Sequence, residues 1–252
     1  KFLTSVYYAD RCFGQIIKTL KENNLYENTI IIFTTDHGIP YPYAKCTLFD
    51  SGLEVALIMR VPGSRKNGSV TDTLVSQVDI FATLCDLINT EKPERLQGES
   101  FSEFFTGNSD RHRDEIYGEI NFHTSYEPVR CIRTENYKYI KYYDNDYLKI
   151  NVSNIDVSET KKLLLENGLL SQEKYSEALY DLLNDPGERK NLINNQEYKD
   201  ILENLRTKLL KWQEETDDPL LSGEIKISGN WKINKKTSHE PSSKNPEDYE
   251  QF

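Results

Sequence analysis

Apolar side chains at Val6, Phe13, Ile16, Ile17 and Leu20 fall on one stripe of a helix over residues 6–20, which Asn23-Asn24 should end. Residues 29–34 are a continuous β-branched and aromatic run, the pattern of a strand buried on both faces of a parallel sheet. A second strand of this kind is expected over 55–59. From Ser76 the spacing predicts another helix, with Asp79 at its third position and Val78, Phe81, Leu84, Cys85 and Ile88 as its buried face. The order helix, strand, loop, strand, helix indicates an α/β layer.

After about Arg111 the pattern changes. Short strands are expected over 116–120, 129–134 and 137–142, the last two separated by Glu135-Asn136 as in a tight hairpin. Leu163, Leu164 and Leu165 before Gly168 predict a short helix with a glycine stop. An amphipathic helix over 203–215 should turn Leu205, Leu209 and Trp212 inward, with Ile201 and Leu202 leading into the same face. From Ser222 onward Lys, Ser, Asn, Glu and Pro dominate, too polar to fold alone, so this stretch is expected to lie on the body or hang loose. The expected organisation is an α/β portion over 1–110, a small α+β subdomain with an antiparallel sheet over 111–222, and a polar tail over 223–252.

Charge narrows the partners. The 252 residues carry a formal net charge of −10, and no basic cluster exceeds short runs such as Lys235-Lys236, so neither nucleic acid nor an anionic membrane is an expected partner. The chain begins at Lys1, with no leader pattern there and no run of about 18 apolar residues anywhere, so nothing is expected to span or target a membrane. The four cysteines, Cys12, Cys46, Cys85 and Cys131, share no C-x-x-C spacing; buried free thiols are the simplest expectation.

Chemistry concentrates where the first strand ends. Ligands gather beyond the carboxyl ends of strands in open α/β sheets, and here the strand runs into Asp36-His37-Gly38. Asp36 offers a hard anionic oxygen, His37 an imidazole nitrogen, and Gly38 a backbone able to turn both toward one ion. The same three residues also suit an aspartate capping a loop with a histidine beside it. Tyr41 and Tyr43 nearby suit carbohydrate stacking or plain packing. Asn67-Gly68-Ser69 and Asn151-Val152-Ser153 match the N-glycosylation pattern.

Further motifs follow in a fixed order. Asp36 to Pro42 leads to Lys45 and Thr47-Leu48-Phe49; Arg130, Ile132-Arg133-Thr134 and Tyr137-Lys138-Tyr139-Ile140 form a hairpin motif; Leu179-Tyr180-Asp181-Leu182 precedes Asp185-Pro186-Gly187-Glu188 and Asn191-Leu192; and Trp212 leads through Asp217-Asp218-Pro219 to Leu220. Together they resemble the sulfatase family, of alkaline-phosphatase-like fold, and within it the heparan N-sulfatase (sulfamidase) branch. The resemblance implies an α/β sheet with helices, of which this chain is the C-terminal part, and hydrolysis of a sulfate ester or sulfamate on a sulfated sugar.

It further implies that Asp36 ligates a divalent ion, calcium in the first instance, and that His37 ligates or abuts it. Lys45 would contact the sulfate where the sulfamidase branch tends to have arginine, without the guanidinium fork. His123 matches a position where relatives turn histidines toward the pocket, and equally suits a surface loop. Arg130 is expected to be structural, and His112 and His239 to be solvated. The family's nucleophile is a formylglycine made from Cys or Ser in C/S-x-P-S-R. No cysteine here fits, so it is expected upstream of Lys1 with an Asp-Asp pair, leaving the isolated chain inactive. The rivals are a phosphodiesterase or phosphonate monoester hydrolase of the same superfamily, and a non-catalytic binding module in which Asp36 and His37 are relics.

Overall fold

The computed structural model describes residues 2–223, 225 and 231–251. The chain packs as two units: Lys1–Thr34 with Ala56–His112, and Thr35–Val55 with Arg113–Phe252.

The first unit opens with helix α1 (Phe2–Glu22), closed at Asn24, which takes a left-handed φ of 58° as an asparagine readily does. None of its residues is buried. Strand β1 (Ile31–Thr34) leads into a loop holding the short helix α2 (Asp50–Leu53), and strand β2 (Leu57–Arg60) returns to pair with β1, Ile31 opposite Arg60 and Thr34 opposite Leu57. The pairing is antiparallel and the strands are half-exposed, not buried in a parallel sheet. A parallel neighbour needs a long crossover, usually a helix on the sheet face, and the segment between β1 and β2 contains only the four-residue α2.

Helices α3 (Asp79–Leu87) and α4 (Ser102–Thr106) complete this unit around Val61, Phe101 and Phe105. The buried face of α3 is Asp79, Ala82, Thr83 and Cys85, whereas Val78, Phe81 and Ile88, expected inside, are 50%, 52% and 60% exposed. Mutual hydrogen bonding makes the polar face buriable. The Asp79 carboxylate accepts from the backbone of Ser76 and Glu99, each at 2.9 Å, and lies 3.0 Å from Nε2 of His112. Thr83 Oγ1 donates to Asp79 O and accepts from Phe101 N. His112 is therefore a buried partner of Asp79, packed on Phe101, and not solvated.

The second unit is built on one antiparallel sheet, in the order β3 (Glu115–Phe122), β4 (Tyr126–Thr134), β5 (Tyr137–Tyr142), β6 (Glu177–Asp181). Alternation divides its side chains between two cores. Val129, Cys131, Ile140, Ala178 and Tyr180 pack with Leu48, while Ile132, Tyr139 and Leu179 pack against Leu202, Leu205 and Leu209. Between β5 and β6 lies α5 (Glu159–Glu166), capped by Ser158 and stopped before Gly168 at φ 87°. The three leucines come from α6 (Lys199–Glu215). Arg130, fully buried in β4, holds Asp218 through Nε at 2.7 Å and Nη2 at 2.9 Å. That is the structural role expected of it.

Past Ser222, β7 (Lys232–Asn234) and β8 (Tyr249–Gln251) pair antiparallel, and Asn234 N donates to Thr124 O at 2.7 Å, laying this stretch on the second unit. The tail expectation for residues 224, 226–230 and 252 lies outside the described residues. Among those described, no helix is long and apolar enough to cross a membrane. Cys85 and Cys131 are buried as expected, Cys46 is half-buried, and Cys12 is exposed on α1.

Candidate active-site loop and its surroundings

The loop after β1 is shaped by two close backbone approaches. Gly38 N donates to Gly52 O at 3.1 Å, and a Cβ on Gly38 would lie 1.9 Å from Ser51 O. A Cβ on Gly52 would lie 2.4 Å from Ala44 O and 2.5 Å from Thr47 O. Only glycines let the strands of this loop touch. Lys45 N then closes back on Ile39 O at 3.0 Å, returning the chain to the residue next to Gly38. Two non-glycine residues flanking Lys45, Tyr43 at φ 63° and Cys46 at φ 62°, occupy the left-handed region, a conformation that bulky side chains seldom adopt.

The far end of the loop is anchored to the sheet. The fully buried Lys138 of β5 binds the Asp50 carboxylate and lies 2.9 Å from Glu188, whose other oxygen accepts from Asp50 N. Burial pushes the Asp50 carboxyl up, but the Lys138 ammonium and the Arg133 guanidinium more than reverse this and hold it below the usual carboxylate range. On Glu188 burial wins and the carboxyl is raised. The family hairpin and the Asp185-to-Glu188 motif thus meet at the base of the loop that bears Lys45.

Above that base, Lys45 Nζ donates to Asp156 at 3.0 Å, with the lysine side chain 18% exposed and the aspartate 39%. His123, just beyond β3, is close enough to feel them. Burial first, then the positive charges of Lys45 and His37, hold its imidazole below the ordinary histidine value against the opposing pull of Asp156. His37 Nδ1 lies 2.7 Å from Gly38 O, a carbonyl that can only accept, so that nitrogen carries a proton; Nε2 lies 3.3 Å from Asp36 Oδ2. The carboxylate of Asp36 is 86% exposed.

The structure therefore gathers His37, Lys45 and His123 in the second unit, with Asp36 beside His37. It adds Asp156, which sequence reasoning missed, since no spacing relates it to a lysine 111 residues earlier. The glycosylation pattern at Asn151 is buried, its amide bonded to Ser125 and Ser153. The one at Asn67 is exposed, with its side chain folded onto Val61.

A sequence model of the family described as N-sulphoglucosamine sulphohydrolase, C-terminal, matches residues 36–172, more than half of the chain and all five residues just named. The chain belongs to the sulfatase family. An ulvan-active sulfatase of Formosa agariphila is 32% identical over 84% of the chain and 37% of its own length. The N-sulphoglucosamine sulphohydrolase of Homo sapiens is 27% identical over 86% of the chain and 47% of its own length. In three dimensions, a protein solved with its substrate D-glucosamine-2-N,6-O-disulfate superimposes with a TM-score of 0.68 at 22% identity, over 85% of this chain and 40% of that one. This sulfatase chain thus spans less than half of the relatives it matches, and its fold is the C-terminal part of an alkaline-phosphatase-like α/β domain with its antiparallel subdomain.

Proposed function

We propose that the protein works as part of a sulfatase that hydrolyses a sulfate ester or sulfamate on a sulfated sugar. The observation that carries this reading is the Lys45 cation held at 3.0 Å by Asp156, beside His123 and His37, within the segment that matches the sulphohydrolase family. The names of the relatives support a sulfated saccharide as substrate.

In this reading Lys45 meets a sulfate oxygen, and Asp156 keeps the ammonium in place until an anion arrives. A charge-assisted bond to an oxygen of the monoanionic sulfate group is among the stronger polar contacts available. His123, whose depressed value keeps it neutral at pH 7, offers a ring N–H to the same group without adding a second fixed charge. Asp36 and His37 would hold the divalent ion: with Nδ1 engaged by Gly38 O, Nε2 and the exposed Asp36 carboxylate lie 3.3 Å apart, a donor set that fits one edge of a metal shell once any proton on Nε2 is displaced. Calcium takes six or more oxygen-rich donors, and among the described residues no group of three or more His, Cys, Asp or Glu stands ready to hold a metal, so the two are a partial set. A bound divalent ion supplies polarisation of the sulfate oxygens.

The nucleophile, formylglycine in this reading, comes from another part of the enzyme. Two of the four thiols are unsuited to attack: burial pushes Cys46 up to about 11 and Cys131 up to about 12.

The test is an NMR titration of the full chain with D-glucosamine-2-N,6-O-disulfate, alongside a sulfate-release assay. The chain should bind the sugar and release no sulfate, and Lys45→Met should weaken binding about tenfold or more, the scale of one charged hydrogen bond. Indifference to Lys45→Met would sink the reading, sulfate release by the chain alone would refute the external nucleophile, and a preference for the matching phosphomonoester would favour a phosphoryl hydrolase.

A further inference from the structure

The loop that bears Lys45 also walls a second, larger cavity in the same unit. A cleft of about 630 Å³ opens beside it, within the size range of small-ligand sites. It shares Tyr43, Phe49, Tyr142, Ile150 and Lys174 with the small chamber of about 40 Å³ that Lys45 lines, so the two are neighbours separated by common walls.

The lining of the cleft is aromatic and polar in alternation. Tyr43 lines it in the left-handed conformation, half-buried beside the Phe49 ring, its hydroxyl bonded to Gln172 Oε1 and its carbonyl accepting from Ser51 Oγ. Strain of this kind persists only where the surroundings over-determine it. Tyr175 is 60% exposed on the opposite stretch, an aromatic ring the fold itself does not cover.

The charges in the lining sort into spent and unspent. Lys174 is neutralised by Glu127 and lies over the Tyr142 ring, and Glu188 is neutralised by Lys138. Arg189 is exposed and has no ion-pair partner among the described residues; the same holds for Glu173. An unmatched guanidinium, an unmatched carboxylate and tyrosine faces suit a ligand that presents an anionic substituent, hydroxyl groups and a flat apolar C–H face at once. A single sugar ring bearing a sulfate or carboxylate presents all three within one rigid unit.

We propose that this cleft is a saccharide subsite that binds a neighbouring unit of an anionic oligosaccharide, stacking it on Tyr43 and Tyr175 and engaging its sulfate or carboxylate with Arg189. The proposal rests on the sulfatase reading for the identity of the polymer, while the cleft itself stands on its lining. It makes the protein selective for oligosaccharides over single sugars.

The experiment is calorimetric titration of the full chain with a sulfated hexosamine–uronate tetrasaccharide, its desulfated counterpart and a sulfated monosaccharide, with the Tyr175→Ala, Arg189→Ala and Lys45→Met variants. Both cleft side chains are exposed, so their removal should leave the circular dichroism spectrum unchanged. The tetrasaccharide should bind more tightly than the monosaccharide, and each cleft variant should weaken it about five- to tenfold, the scale of one aromatic or ionic contact, without affecting the monosaccharide. Equal affinity for the two sugars, no binding of the tetrasaccharide, or indifference to both cleft variants would overturn the proposal. If Tyr175 and Arg189 matter but neither desulfation nor Lys45→Met does, the cleft stands and the sulfatase reading falls.

Discussion

The two units spend their apolar residues differently. In the second, alternation along β4, β5 and β6 delivers Ile132, Tyr139, Leu179 and Cys131 to full burial, on both faces of the sheet. In the first, the same kind of periodicity leaves α1 with no buried residue, Ile58 of β2 63% exposed and Phe81 of α3 52% exposed, while a carboxylate and an imidazole are buried against each other. Hydrophobic spacing thus specifies which element forms. It does not say whether anything covers the stripe.

The contrast can be broken hardest at Arg130 and Asp218. Removing one charge from a buried pair leaves the other uncompensated, so Asp218→Asn should cost about 3–5 kcal/mol in urea unfolding of the second unit. Acid should act through the same bond. Burial pushes the Asp218 carboxyl up, but the hydrogen bonds from Arg130 and Gln213 outweigh it and the value is lowered. This contribution is fully present above the ordinary carboxylate range and is lost as pH falls through that range toward the depressed folded value. A second unit whose stability is flat down through this window, or unchanged in Asp218→Asn, would contradict it.

Next in size comes the pair Leu179→Ala and Phe81→Ser. The first empties a fully buried site and should cost about 2–5 kcal/mol; the second changes a half-exposed ring and should cost under about 1 kcal/mol. Equal losses would erase the distinction between the units. The smallest effect is electrostatic. Lys45→Met should raise the His123 pKa toward its ordinary value, because a positive neighbour is removed, though burial keeps it from rising fully; histidine proton shifts followed against pH read this directly.

Legibility followed the range of the interactions. The hairpin of β4 and β5 was readable because Glu135-Asn136 joins two adjacent patterned runs, with Thr134 and Tyr137 closing the turn. The helix α6 was readable from its leucines. The strand β6 showed only as the Leu179-to-Leu182 motif, since its partner β5 lies across α5. His112 was misread because polar neighbours in sequence hide a partner 33 residues away, and Asp156 was invisible for the same reason. Motif order singles out Asp36, His37, Lys45 and His123 as candidates; the shape of the loop that carries the first three depends on Gly38 and Gly52, whose close approaches have no periodic signature.

The bond from Lys45 to Asp156 spans 111 residues, and that span has a consequence for synthesis. At roughly 5–20 residues per second, a ribosome needs about 6–22 s to make the aspartate after the lysine. For most of that interval the loop after β1 lacks both its anchor at Lys138 and the counter-charge of Asp156, so Lys45 stays an unpaired cation until well after its own loop has been made.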